Sequence, residues 1–159
     1  MPRVDDPGRR SWNSHELADT EALAAALAPL LHSGDTVWLR GELGAGKTAF
    51  VRAAAAALGV TGVVASPTYT VGNSYLGRDV KISHLDLYRS TGLTEEEWAD
   101  LEPYFEDAIA FVEWPDAGAG LLPDPRVIVH IEFVPGDARL ITLVCVDPSL
   151  LTAVAAALT

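Results

Sequence analysis

The 159-residue sequence predicts a single α/β domain, a mixed central sheet with helices on both faces. Three observations carry this. A short apolar strand pattern at 36–40 runs into a glycine-bracketed loop and then an alanine-rich helical pattern at 47–58. Residues 108–112 form an unbroken apolar run of strand length, the signature of a strand buried on both faces. Two alternating segments, 71–85 and 127–146, each fold about a turn and read as hairpins.

The elements follow in order. Met1 to Asn13 carry charge, proline and glycine without an apolar stretch, and are expected as a flexible N-terminal arm preceding a domain at 14–159. Leu23, Leu27, Leu30 and Leu31 keep the spacing of one helix face, with Asp19 or Thr20 as N-cap and Gly34 as stop. Thr36 to Arg40 is the strand entering the loop, and Gly59 ends the helix after it. Ser66-Pro67-Thr68-Tyr69-Thr70 suits an ordered loop, and strands are expected to flank it, with Gly62 to Ala65 before it. The first hairpin turns at Gly77-Arg78-Asp79. Thr94 with Glu97 is a capping box opening a short helix that Pro103 closes, with Trp98 and Leu101 facing inward. The second hairpin turns at Pro135-Gly136-Asp137, and Asp147-Pro148 opens a C-terminal helix as cap and first-turn proline.

Composition narrows the function. The formal net charge is −11, and Lys47 and Lys81 are the only lysines. A protein that grips nucleic acid alone presents a basic surface to the phosphates, so any involvement with RNA is expected to be indirect. No apolar run approaches the ~20 residues of a membrane span. The lone Cys145 cannot close an intramolecular disulfide and reads as a small buried hydrophobe, and a cytoplasmic location is expected.

The chemistry lies in Gly41-Glu42-Leu43-Gly44-Ala45-Gly46-Lys47-Thr48, which fits G-x-x-x-x-G-K-[ST]. Each fixed position has a mechanical task. The glycines let backbone approach phosphate, and amides at the helix start point at it along the helix dipole. Lys47 brings a movable positive charge, and the Thr48 hydroxyl is a hard oxygen donor for Mg²⁺. A phosphate loop also needs an acid to organise the metal and its waters. Glu113, at the end of the 108–112 run, fits that task best; Asp86, after Ile82 to Leu85, is a second candidate that spacing alone cannot rank and that also fits a cap on the turn at 87–89. His84 and His130 lie in strand patterns and are expected to be packed or hydrogen-bonded. No [NT]-K-x-D guanine-reading motif is present, which favours adenine, and nine scattered arginines do not form the lid of a kinase.

GELGAGKT (41–48), SPTYT (66–70), HLDLYR (84–89) and VEWP (112–115), in that order, resemble the TsaE family, also called YjeE, over roughly residues 14–146. The resemblance implies a P-loop ATPase needed for threonylcarbamoyladenosine in transfer RNAs that read codons beginning with A. It implies ATP or ADP with Mg²⁺ as ligands, and TsaD and TsaB homologues as partners, which meet the transfer RNA in its place. Carried over by position, Gly44, Ala45, Gly46, Lys47, Thr48 and Ala49 cradle phosphate, Thr48 and Glu113 hold Mg²⁺, Thr68 is a switch-loop threonine and Asp86 the catalytic acid. Trp114 falls beside the nucleotide, and Thr20 and Arg139 correspond to the family's terminal regions as base contacts. Glu42 stands where the family has aspartate, and Leu85 where it has phenylalanine.

Overall fold

The computed structural model describes residues 8–65 and 71–159, and the sequence-read loop Ser66 to Thr70, with Thr68, lies outside them. The elements are β1 (Arg9–Ser14), α1 (Leu17–Leu27), β2 (Thr36–Arg40), α2 (Lys47–Ala57), β3 (Gly72–Leu76), β4 (Lys81–Asp86), α3 (Glu95–Leu101), β5 (Ala108–Glu113), β6 (Val127–Val134), β7 (Ala138–Cys145) and α4 (Pro148–Ala157). They form a seven-stranded sheet in the order β1-β7-β6-β2-β5-β4-β3. Its centre is parallel, with β4, β5, β2 and β6 side by side, and the hairpins add antiparallel strands at both edges.

Period-two alternation divides the strands between two cores. Val37, Leu39, Ile82, Ile109, Phe111 and Val129 pack with residues of α1, α2 and α4 in the larger one. Leu85, Ala110 and Val112, one position out of phase, join Leu101 of α3 and Leu122 in the smaller one. Helices therefore cover both faces. The run at 108–112 is buried along its whole length, as its unbroken apolar composition requires. Trp98 is half-buried beside Phe105, and the Thr94 hydroxyl accepts the Glu97 N–H. No helix among the described residues is long and apolar enough to cross a membrane.

Three local expectations change. Arg9 to Asn13, expected within a flexible arm, form most of β1, paired with β7 from Arg9 opposite Val144 to Ser14 opposite Arg139. The pairing satisfies the outer main-chain groups of β7, Trp12 packs onto the larger core, and Arg9 and Arg10 leave the new edge charged. Helix α1 starts before Asp19 and Thr20. Its N-cap is Glu16, and the Asp19 carboxylate accepts the N–H groups of His15 and Glu16 from inside the first turn. Gly62 to Ala65 makes no ladder. Val64 is buried in the larger core, and its carbonyl takes the Arg52 Nε–H at 3.0 Å.

Candidate nucleotide-binding site

Strands β2, β4 and β5 run parallel and finish at the same edge of the sheet, so Arg40, Asp86 and Glu113 mark one rim. Ligands of open parallel sheets bind at that rim. Strand β2 feeds the glycine loop and α2 leaves it. A Cβ on Gly41 would lie 2.6 Å from the Ile131 carbonyl oxygen, so only glycine lets the loop start this close to β6. Gly46, the N-cap of α2, has φ +114°, a left-handed conformation that turns the following amides toward the loop's interior.

Lys47 is folded back across this loop. Its ammonium donates to the carbonyls of Gly41 at 2.5 Å and Glu42 at 3.0 Å, and lies 4.4 Å from the centre of the Trp114 ring. Burial holds its pKa below the ordinary lysine value, while the charges of Glu113 and Asp86 oppose the shift. Trp114 follows Glu113 with φ +56°, which sends its ring back over the loop, where it also meets Tyr88 at 5.0 Å. Short of packing alone, the tryptophan thus borders the lysine that the sequence assigns to phosphate.

The two candidate acids stand together. Asp86 and Glu113 are register partners across β4 and β5. The Thr48 hydroxyl donates to Glu113 Oε2 at 3.1 Å, so the two oxygen donors read as a Mg²⁺ site do converge. Asp86 Oδ1 accepts the Tyr88 N–H at 2.9 Å, so the capping alternative for this residue is also realised. Its pKa is raised, chiefly by burial and further by the Glu113 charge, with the Tyr88 hydrogen bond and the Lys47 charge opposing. A carboxyl so placed takes a proton more readily than an exposed one.

Sequence reasoning placed His84 only as packed or hydrogen-bonded. It is both, fully buried with Nε2 2.5 Å from Glu113 Oε2. The missed signal is the spacing of His84 to Asp86, two apart on a strand and hence on one face.

On the other side of the loop, Gly44, Ala45 and Gly46 face a cavity of about 220 Å³ whose opposite wall is residues 14–17, Thr20 and Arg139. Thr20 and Arg139 are thereby brought to the glycine loop from α1 and β7. Arg139 donates through Nε to the Ala45 carbonyl at 3.2 Å, and the buried Thr20 hydroxyl shares a hydrogen bond of 2.7 Å with Ser14. Residues 14–17 are not legible in the sequence because the pairing of β1 with β7 carries them here, while Asp137 arrives with the turn between β6 and β7. Ala49 sits in the first turn of α2, beside Thr48.

With this geometry in place, comparison with known proteins is decisive. The family model described as threonylcarbamoyl adenosine biosynthesis protein TsaE matches residues 14–141. The chain belongs to the TsaE family. A relative from Streptomyces coelicolor, named tRNA threonylcarbamoyladenosine biosynthesis protein TsaE, is 41% identical over 118 residues, 72% of this chain and 80% of its own length. A Bacillus subtilis relative of the same name is 35% identical and covers 85% of both chains. The crystal structure of Bacillus subtilis YdiB superposes with a TM-score of 0.78 at 29% identity, covering 93% of this chain and 95% of that one. The single α/β domain is thus a TsaE fold, and β1 lies largely outside the matched segment.

Proposed function

We propose that this chain binds ATP with Mg²⁺ and hydrolyses it in the service of threonylcarbamoyladenosine formation in transfer RNA, acting on TsaD and TsaB homologues. The observation that carries the reading is the meeting of Thr48 with Glu113, at 3.1 Å, beside Asp86 and at the mouth of the glycine loop. A small hard cation bound mostly by phosphates and water asks for one or two such protein oxygens. When bound, Mg²⁺ supplies charge neutralisation on the β- and γ-phosphates.

The chain's own residues do the rest. The amides of Gly44 to Thr48 and the first turn of α2, including Ala49, hold the phosphates along the helix dipole. Lys47 gives up its two loop carbonyls to reach the γ-phosphate, where it stabilises charge as the transition state develops. The cavity walled by Thr20 and Arg139 takes the nucleoside, and Trp114 covers Lys47 on the other side of the loop. Asp86 orients a water in line with the bond to the leaving ADP oxygen. It accepts the proton that the water loses as its oxygen joins the γ-phosphorus and the bridging bond breaks. The net charge of −11 supports leaving the transfer RNA to the partners.

Thr48→Ala and Glu113→Ala are expected to weaken the Mg²⁺ dependence of ATP binding, whereas Lys47→Ala lowers phosphate affinity with or without the ion. Fluorescence titration of the tryptophans at stepped Mg²⁺ reads this. A Glu113→Ala chain with unchanged Mg²⁺ titration and single-turnover cleavage would move the metal site elsewhere. A wild-type chain that binds ATP but does not cleave it in a single turnover would instead be a nucleotide-dependent interaction module.

A further inference from the structure

We propose that His84 is a positioning residue for the site's carboxylate: as the neutral Nε2–H tautomer it donates to Glu113 Oε2 and sets the plane in which that carboxylate meets Thr48. This rests on the proposed Mg²⁺-nucleotide reading and adds a residue to it.

The argument is one of hydrogen-bond accounting. Glu113 is 3% exposed and His84 0%, so neither group can borrow water to satisfy itself. At 2.5 Å, Nε2 and Oε2 must have a proton between them, because two facing lone pairs would repel. If that proton belonged to Glu113, a neutral imidazole would carry its own proton on Nδ1. Yet Nδ1 is buried with no hydrogen-bond partner among the described residues. A buried N–H without an acceptor is costly, and a bare ring nitrogen is tolerated better. The proton therefore sits on Nε2, and Glu113 remains a carboxylate. Its Oε2 takes the imidazole N–H on one side and the Thr48 hydroxyl on the other, which leaves the remaining lone pairs for a cation. Hydrogen bonds to a ligating carboxylate fix its orientation and basicity, and losing them commonly lowers metal affinity 10–100-fold.

The strands supply the placement. His84 lies two residues before Asp86 on β4, level with Phe111 on β5, so its ring reaches diagonally to Glu113 while Asp86 stands directly opposite that residue. Asp86 is thus left to water and proton, while His84 holds its neighbour.

Two measurements test this. Nitrogen chemical shifts of ¹⁵N-labelled histidine in the nucleotide-free protein, assigned by the signal lost in His84→Gln, are expected to show the Nε2–H tautomer; an Nδ1–H signature overturns the inference. In Mg²⁺ titrations at fixed ADP, His84→Leu is expected to need 10–100-fold more Mg²⁺ with Mg²⁺-free ADP affinity unchanged. His84→Gln, whose amide N–H reaches a similar point, is expected to recover most of the loss. A His84→Leu chain with wild-type Mg²⁺ dependence overturns the positioning role, and so does a Gln variant no better than Leu. Absence of Mg²⁺-dependent nucleotide binding in the wild type would sink the proposed function and the metal half of this inference together, and the tautomer would then decide the His84–Glu113 bond by itself.

Discussion

Asp86 serves a turn in the structure and a reaction in the proposed mechanism. Its Oδ1 holds the Tyr88 N–H, and burial beside Glu113 raises its pKa. Asp86→Asn keeps an oxygen for Tyr88 but cannot accept a proton. Melting is therefore expected to stay near wild type while single-turnover cleavage falls by roughly 10²–10⁴, the usual worth of a positioned general base. A large loss of stability with cleavage intact would reverse the two roles. His130 carries a different residue-scale consequence. Burial, with the charges of Arg40 and Arg9, holds its pKa below the ordinary value, and Glu132 and Asp116 oppose this only in part. Its unfolded value is about 6.5. Below that pH the unfolded chain binds the proton first, so stability is lost as pH falls through the window down to the depressed folded value. Denaturant midpoints measured against pH should show this loss in the wild type and a flatter course in His130→Gln. Parallel curves would remove His130 from the explanation.

At the scale of elements, β1 is the strand that composition concealed. It is joined to β7 by six register pairs, and it delivers Trp12 to the larger core and Ser14 to Thr20. A chain starting at residue 15, compared with one starting at residue 8, is expected to melt roughly 5–10 °C lower, from lost apolar burial and an unpaired β7 edge. It should also bind ADP more weakly, because residues 14–17 wall the cavity. Equal melting temperatures would show that β1 contributes little. The reason the strand was unreadable is physical. Its stability comes from main-chain pairing with a strand far along the chain, from side-chain bonds such as that between the hydroxyls of Ser11 and Thr142, 131 residues apart, and from one tryptophan, so no local apolar pattern announces it. The same holds for Gly62 to Ala65, where Val64 is buried with no ladder to join. Where the pattern is enforced locally, the sequence was legible. The buried run at 108–112, the Thr94 capping box, the Asp147 cap and the glycine loop all stand where their residues place them. The acids Asp86 and Glu113 were readable as strand ends, whereas their adjacency, and the bond of His84 to Glu113, depended on the order of β4 and β5 in the sheet.

For the molecule as a whole, the question is whether the site is sufficient for fast hydrolysis. Phosphoryl transfer is accelerated greatly when an arginine reaches the charge developing on the γ-phosphate, and a finger supplied by a partner can be worth 10³–10⁵ in rate. Four of this chain's nine arginines are engaged in its own fold. Arg40 is paired with Asp116, Arg126 with Asp35, Arg52 holds the Val64 carbonyl and Arg139 that of Ala45. In the proposed mechanism Lys47 and the two acids serve as cradle, metal site and proton acceptor, and no arginine of this chain is assigned to the γ-phosphate. The isolated protein is therefore expected to hydrolyse ATP slowly, and an assembly containing TsaD and TsaB homologues to accelerate it. Two routes lead to that acceleration. A partner arginine entering the site would make the gain vanish when that arginine is replaced, and it would leave nucleotide affinity nearly unchanged. A partner that instead acts through the proposed switch residue Thr68 would raise affinity and turnover together, and the gain would survive loss of any single partner arginine. Steady-state assays with and without the two homologues decide the main expectation, and equal rates would show that this chain carries a self-sufficient site whose tie to transfer RNA modification runs through binding alone.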